Sequence, residues 1–144
     1  MRKICLALDM GGTKIYAAVV DQAGIILHAL TKPTQAALGG PQIVATMTAC
    51  LDELKSLVDP AKDQIVGIGI SAAGVIDTQS VSVKDAVAGL PGWKGTALGD
   101  IFSSRYHVPV WADNDVNCAL LGEQWRNPLV SETQACVVML TLGT

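Results

Sequence analysis

Short aliphatic runs separated by tight turns dominate the first third of the chain. We predict strands over residues 3–8, about 15–20 and 25–30, because each run is rich in Ile, Leu, Val and Ala. The segments between them, "DMGGTK" and "DQAG", carry the glycine and aspartate residues typical of turns. Three strands joined by two tight turns predict an antiparallel meander.

From residue 42 the hydrophobic spacing changes from that of a strand to that of a helix. The apolar positions that recur at helical intervals are Ile43, Val44, Met47, Leu51, Leu54 and Val58. Beyond this amphipathic helix, the pattern predicts a strand over 65–70, a bend at "SAAG", a weak hairpin in "VIDTQSVSV", a helix over 97–106, a strand over 108–112, a helix over 116–125 and a strand over 135–142. Thr96 is the expected N-cap of the second helix. Its predicted shared face is Leu98, Ile101, Phe102 and Arg105.

This order predicts an α/β fold with a mixed sheet. A doubly wound nucleotide-binding fold would alternate strands and helices from its start, whereas this chain begins with a meander. The order instead matches the ribonuclease H-like half of the actin and hexokinase architecture. The last predicted strand and its "LTLGT" turn reach the end of the sequence, so we expect an N-terminal piece of a longer protein.

Composition narrows the class of protein. Half of the 144 residues are hydrophobic, 16% are charged and the net charge is -3, with no basic block, so we expect neither nucleic-acid nor membrane binding. No apolar run approaches the roughly 20 residues of a membrane span, and the N-terminus lacks a signal-peptide cleavage site. We expect a cytoplasmic location. The four cysteines, at positions 5, 50, 118 and 136, form no CxxC pair. We therefore expect reduced thiols and no zinc site in this stretch.

The first turn, "DMGGTK", combines an acid, two glycines, a hydroxyl and a lysine. Glycines permit positive φ and leave the backbone N–H groups open to an anion. Thr13 and Lys14 would add a donor and a positive charge, and Asp9 could hold Mg²⁺ through water. A plain hairpin turn explains the same residues. The string matches neither Walker A nor the dinucleotide fingerprint.

The segment "ADNDVNCALLGE" places Asp113 and Asp115 where an apolar run ends and a helical pattern begins. Aspartate at a helix start is stabilised by the helix dipole, which is a purely structural explanation. A carboxylate at a strand end could equally accept a proton from a substrate hydroxyl. Spacing alone leaves both explanations open.

Three segments in this order, "LALDMGGTKIYAAVVD", "VGIGISAAG" and "VWADNDVNCALLGE", followed by "LTLGT", resemble the ROK family of bacterial sugar kinases and repressors within the hexokinase and actin superfamily. The resemblance implies two lobes with ATP and sugar bound between them. It implies that residues 1–115 form the N-terminal ribonuclease H-like lobe with the sugar site. Residues 116–144 would then be a linking helix and the first strand of a truncated second lobe.

The resemblance also implies roles for single residues. The glycine turn would contact the ATP phosphates and Mg²⁺ through Asp9, Gly11, Gly12, Thr13 and Lys14, with Asp9 on the metal. The family's second phosphate loop reads LGTG, and Gly143 and Thr144 match its beginning.

On the sugar side, Asn114 matches the family's sugar-binding asparagine and Asp115 its catalytic base. Asp113 would cap the turn or orient its neighbours. Gly74 in "SAAG" matches a bend that lies against the sugar, although a simple strand-end turn explains it too.

One loop departs from the family pattern. Glucokinase-like members read NLPGW with an asparagine on the sugar, whereas this chain has "GLPGW" with Gly89, which puts glucose in doubt as the substrate. Trp93 is expected to anchor the loop by packing, and His28 and His107 to be structural. No catalytic role is assigned to Glu123. The family's sugar-contacting histidine and zinc-binding cysteine–histidine cluster would lie beyond Thr144.

Three functions follow from these features. The first is an ATP-dependent kinase acting on a hexose or N-acetylhexosamine, at the 6-hydroxyl. The second is a ROK-type transcriptional repressor that binds sugar without phosphorylating it; such repressors carry a helix-turn-helix domain ahead of the glycine turn, for which this sequence leaves no room. The third is a non-catalytic lobe that forms a homodimer through its cleft face and last strand.

Overall fold

A computed structural model describes residues 1–86, 88–127 and 137–141, and the fold centres on a five-stranded sheet. The sheet order is β3-β2-β1-β4-β7, with a separate hairpin of β5 and β6. The strands are β1 (Arg2–Met10), β2 (Lys14–Asp21), β3 (Ile26–Pro33), β4 (Asp63–Ala72), β5 (Val75–Asp77), β6 (Ser82–Asp85) and β7 (Val110–Asn114). The helices are α1 (Gly40–Ser56), α2 (Leu98–Tyr106) and α3 (Asp115–Arg126), with a 3-10 turn at Ala36–Leu38.

The sheet is mixed, as the order of the sequence patterns predicts. Strand β1 pairs antiparallel with β2, and β2 pairs antiparallel with β3, which forms the meander. On its other side β1 pairs parallel with β4, and β4 pairs parallel with β7. The parallel pairs bring the carboxyl ends of β1, β4 and β7 to the same edge of the sheet.

One face of the sheet holds the hydrophobic core. Side chains alternate along β1, so that Ile4, Leu6, Leu8 and Met10 are buried on this face. The helical spacing predicted from residue 42 is confirmed, because α1 packs on this face with fully buried side chains. These include Ile43, Met47, Leu51 and Leu54. The seventeen residues of α1 make it the longest helix described, and no described helix combines the length and the hydropathy that a bilayer crossing requires.

Helix α2 also contributes to the hydrophobic core, and one predicted detail of this helix is wrong. Thr96 does not cap it: the N-cap is Ala97, and the Thr96 hydroxyl donates to the Trp93 carbonyl at 2.7 Å. The threonine is therefore used in closing the preceding loop. Of the four residues of the predicted shared face, Leu98 and Phe102 are buried, whereas Ile101 is 37% exposed.

A polar contact joins α1 to α2. Arg105 donates to a carboxylate oxygen of Asp52 at 2.6 Å, and the Tyr106 hydroxyl lies 2.8 Å from the other oxygen. The Arg105 hydrogen bond is the main reason that the pKa of Asp52 lies below its ordinary value. Burial, together with the Asp52 carboxylate, raises the pKa of Tyr106 to about 12.

The last predicted strand is not present in the described part of the chain. Residues 137–141 carry no strand pairing there, and Val138 and Leu140 are 77% and 85% exposed. A strand forms only against a neighbouring strand, and the apolar side chains of this run meet no such neighbour among the described residues. Residues 135, 136 and 142 of the predicted strand lie outside the described residues.

The second face of the sheet carries small and apolar side chains beneath α3. A groove of about 530 Å³ lies between this face and the helix. Ala7, Ala18 and Gly69 line its floor, and Cys118 and Leu121 of α3 line its wall. The far end of α3 reaches the β2–β3 turn, where the Arg126 guanidinium donates to the Ala23 carbonyl at 2.8 Å.

Candidate active site

The carboxyl ends of three parallel strands place two rows of side chains on opposite faces of the sheet. Asp9, Ser71 and Asp113 are in register across β1, β4 and β7, and Met10, Ala72 and Asn114 form the next row. Successive side chains of a strand point to opposite faces. The first row therefore lies on the face of the groove, while Asn114 lies on the core face.

Asn114 uses both ends of its amide. Its Oδ1 accepts from the Val116 N–H at 3.0 Å, which makes it the N-cap of α3, and its Nδ2 donates to the Gly74 carbonyl at 2.9 Å. The cap role considered for Asp113 is therefore filled by Asn114. Asp113 instead orients its neighbours: one of its oxygens accepts from the Asn114 N–H at 2.7 Å and from the Asn117 amide at 2.9 Å.

Gly74 forms a bend that no other residue could form without strain. Its φ is +113°, and a Cβ there would lie 2.6 Å from the carbonyl oxygen of Asp85. Positive φ of this kind is readily adopted only by glycine. The glycine thus brings the backbone after β4 against the end of β6 and presents its carbonyl to Asn114.

A cavity of about 400 Å³ opens between this bend and the start of α3. Its walls are formed by Ala73, Gly74, Val75, Asp85, Ala86, Asn114 and Asp115. The volume lies within the range of small-molecule sites, and two carboxylates, one amide and exposed backbone surround it. The predicted residues Gly74, Asn114 and Asp115 are therefore brought together.

Asp115 is solvent-exposed in this cavity and is the first residue of α3. One of its carboxylate oxygens lies 3.0 Å from the Val116 N–H. The helix N-terminus favours a negative charge at this position. A carboxylate in this position, open to the cavity, can lie within hydrogen-bonding reach of a bound hydroxyl, which is the geometry that a general base requires.

Asp85 also lines this cavity, although no sequence motif predicts it. The Lys94 ammonium lies 3.1 Å from one of its carboxylate oxygens. This contact, followed by the hydrogen bond from the Ala86 N–H, lowers the pKa of Asp85. Its only sequence signal was its place at the end of a weak strand before the "GLPGW" loop, which does not distinguish it from other surface aspartates.

The side chain of Thr34 stabilises the glycine turn, and no sequence motif predicts this role either. The Gly11 N–H donates to the Lys14 carbonyl at 3.0 Å, and the Thr34 hydroxyl donates to the Gly11 carbonyl at 2.6 Å. Gly11 and Gly12 are not among the positive-φ residues, so the turn does not use the conformational freedom that glycine permits. A Cβ at Gly12 would meet no atom within 4 Å, which leaves its backbone open to a ligand.

The oxygen ligands around Asp9 suit a magnesium ion that is held mainly by waters and phosphate. They are too few for a metal ion coordinated entirely by protein side chains. Ser71 donates to one Asp9 oxygen at 2.7 Å, and Asp113 stands in the same row two strands away. No group of three or more metal-binding side chains occurs in the described ranges. Mg²⁺ is usually held by one or two carboxylates with waters and substrate phosphates, so Asp9 with a phosphate would suffice.

The turn and Asp115 do not share a cavity in the described structure. Asp9 lines the groove on the second face, whereas Asp115 lines the smaller cavity. Two strand spacings separate the main chain at Asp9 from that at Asp113, or about 10 Å. Gly143 and Thr144, the predicted start of a second phosphate loop, lie outside the described residues.

The chain matches a known protein family. The model of the ROK family matches residues 5–144. A glucokinase from Halalkalibacterium halodurans is 32% identical over 139 residues, which are 96% of this chain and 41% of that protein. The chain thus spans about 41% of the length of this relative.

Solved structures agree with the fold. A ROK family glucokinase from Streptomyces griseus, in complex with glucose and AMPPNP, superposes with a TM-score of 0.70 and 31% identity over 83% of this chain and 36% of that one. A ROK family transcriptional regulator gives a TM-score of 0.76 over 86% of this chain and 31% of that one, but its 18% identity shows the fold alone. The predicted ribonuclease H-like fold of the actin-like ATPases is confirmed.

Proposed function

The chain belongs to the ROK family, and we propose that it is the sugar-binding lobe of an ATP-dependent sugar kinase. The reaction would transfer the γ-phosphoryl group of ATP to a hydroxyl of a hexose or N-acetylhexosamine, at O6. The observation that carries the proposal is the 400 Å³ cavity in which Asn114 and Asp115 stand against the Gly74 bend. The reaction would take place in the cytoplasm, where ATP is available.

Asp115 acts as the general base in this proposal. A sugar hydroxyl is a poor nucleophile and must lose its proton as it attacks the γ-phosphorus, and a carboxylate within hydrogen-bonding reach can accept that proton. Most of the remaining catalysis of phosphoryl transfer is positioning and charge stabilisation. The end of β7 and the start of α3 hold Asp115 on rigid elements, which suits a positioned base.

Asn114 and Gly74 position the sugar. The Asn114 amide is fixed by its bonds to Val116 and Gly74, so its remaining hydrogen-bonding capacity can select one orientation of the sugar hydroxyls. Gly74 contributes backbone that lies directly against the cavity. Gly89 provides no amide side chain from the "GLPGW" loop, so we propose a sugar preference different from that of glucokinases with NLPGW.

The glycine turn would bind the ATP phosphates through the backbone at Gly11 and Gly12 and through Thr13 and Lys14. Asp9, held by Ser71, would hold Mg²⁺. Magnesium, when bound, supplies neutralisation of phosphate charge. Gly143 and Thr144 would begin the second phosphate loop. In this proposal residues 116–144 link the first lobe to a second one, and the whole protein could also form a homodimer.

A panel of hexoses and N-acetylhexosamines with ATP consumption as readout tests the proposal, using a version of the polypeptide extended past Thr144. Sugar-dependent ADP formation is expected with at least one member. Sugar binding without ADP formation would support the alternative, a ROK-type sugar-responsive regulator or a non-catalytic sugar-binding lobe. Absence of both binding and turnover across the panel would contradict both proposals.

A further inference from the structure

The "GLPGW" loop contains a buried tryptophan that reaches the wall of the sugar cavity. Trp93 is 0% exposed, and its indole Nε1–H donates to the Ala73 carbonyl at 3.0 Å. Ala73 lines the cavity and directly precedes Gly74. A buried indole N–H needs a hydrogen-bond partner, so this bond fixes both the ring and the Ala73 carbonyl.

The loop that carries Trp93 is itself held rigidly. The Gly40 N–H donates to the Pro91 carbonyl at 2.8 Å, and a Cβ on Gly40 would overlap the carbonyl oxygen of Gly92. On the other side the Gly95 N–H donates to the Val83 carbonyl at 2.8 Å. The start of α1 and strand β6 therefore fix the position of the loop. The hydrogen bond from the indole then fixes Ala73 relative to the loop.

From Ala73 the connection continues to the proposed reactive residues. The Gly74 carbonyl accepts from the Asn114 amide at 2.9 Å, and the other end of that amide caps the helix that begins with Asp115. We propose that Trp93 is a positioning residue for the sugar site, acting through Ala73 and Gly74 on the orientation of the Asn114 amide. This inference rests on the proposed function for its role in sugar binding, but its structural step can be tested without sugar.

Two variants of the 144-residue chain test the inference. Trp93→Phe removes the indole N–H together with part of the ring, and benzothienylalanine at position 93 replaces the N–H by sulfur while preserving the ring shape. Trp111→Phe is the matched control, because Trp111 packs over Gly67 and does not line the sugar cavity. The readouts are the NMR signals of the Asn114 side-chain amide and the Gly74 N–H, and affinity for glucose, mannose and N-acetylglucosamine.

Both changes at position 93 are expected to shift or broaden the Asn114 amide signals and to weaken sugar affinity by about fivefold, the effect of one lost hydrogen bond. Trp111→Phe should change neither. Unchanged Asn114 signals in the sulfur variant would overturn the inference, and that variant decides the case if Trp93→Phe does not fold. A wild-type chain that binds none of the sugars would count against the proposed function, while the NMR comparison would still decide the role of Trp93.

Discussion

At the residue scale, Asp115 carries the chemistry of the proposal. In the polypeptide extended past Thr144, Asp115→Asn should lower kcat by at least about 100-fold, since the amide cannot accept the hydroxyl proton. The sugar-dependent KM should change little, because the side chain keeps its size and its place in the cavity. The measurement is steady-state ADP formation at saturating ATP.

Glu123→Gln is the matched control for this experiment. Glu123 lies on the same helix, two turns further along, where its carboxylate contacts Asn127 rather than the cavity. A normal kcat for the control and a normal kcat for Asp115→Asn together would remove Asp115 as the base.

Gly74 offers a second test at this scale, one of stability. Gly74→Ala should lower the free energy of unfolding by at least about 2 kcal/mol, because the new methyl group combines positive-φ strain with a collision against the Asp85 carbonyl. Urea unfolding of the 144-residue chain measures this. Gly89→Ala separates the two causes: its φ is +91° but a Cβ there meets no atom within 4 Å, so about 1 kcal/mol is expected. Equal losses in the two variants would show that the collision is relieved.

At the scale of elements, the junction of β7 with α3 combines a helix cap and a contact with the cavity that we propose to bind sugar. Asn114→Ser should preserve the N-cap hydrogen bond of α3, because serine is also a good N-cap. Asn114→Ala should lower the free energy of unfolding by about 1 kcal/mol. Neither replacement can donate to the Gly74 carbonyl as the amide does. We therefore expect both to weaken sugar binding by at least about tenfold. Urea unfolding and calorimetric titration, measured on the same samples, separate these effects.

The contact between α1 and α2 predicts a pH dependence. Hydrogen bonds from Arg105 and Tyr106 lower the pKa of Asp52 in the folded state, so the contact stabilises the protein above the unfolded pKa of about 3.9 and is lost as pH falls through the lower folded value. Asp52→Asn should lower the free energy of unfolding by about 0.5 kcal/mol at pH 7. The loss is small because the side chains of Asp52 and Arg105 are both about half exposed. Near pH 2 the variant and the wild type should be equally stable.

Urea unfolding at both pH values checks this prediction. A loss that is the same at pH 7 and pH 2 would mean that the Asp52 charge contributes nothing.

The sequence predicted the elements better than their ends. The first two strands of the meander and α1 follow from hydrophobic spacing alone, because each buries one face in the core. The N-cap of α2 did not follow, since Thr96 is a good cap by type but its hydroxyl is already used by the Trp93 carbonyl. Similarly, the apolar run near residue 138 has the composition of a strand, but a strand also requires a neighbour that composition does not specify.

At the scale of the whole molecule, the cavity proposed to bind sugar is lined by described residues, whereas the proposed second phosphate loop would begin only at Gly143 and Thr144. The 144-residue chain should therefore bind a sugar and show essentially no sugar-dependent ATP turnover. Calorimetric titration checks the sugar binding, and an assay of ADP formation on the same preparation checks the absence of turnover. Robust turnover by this chain would contradict the division of the site.

The candidate site was only partly predictable from the sequence. The residues Gly74, Asn114 and Asp115 were identified from short motifs, and the fold brings them together. Asp85, Thr34 and the Trp93–Ala73 bond depend on contacts between segments far apart in the chain, which no local pattern records. The separation of Asp9 from Asp115 also required coordinates, because it depends on which face of the sheet each strand end presents.

The alternation of side chains at the end of β7 has an evolutionary consequence. Asp113 and Asn114 are neighbours in sequence but line different cavities. Asp113 lines the groove together with Asp9, and Asn114 lines the smaller cavity together with Gly74. Selection for a different ligand can therefore alter the proposed sugar cavity by point mutation while the groove is conserved. Insertion or deletion of a single residue in β7 would exchange the two sides, so lineages should tolerate substitution there far better than changes of length.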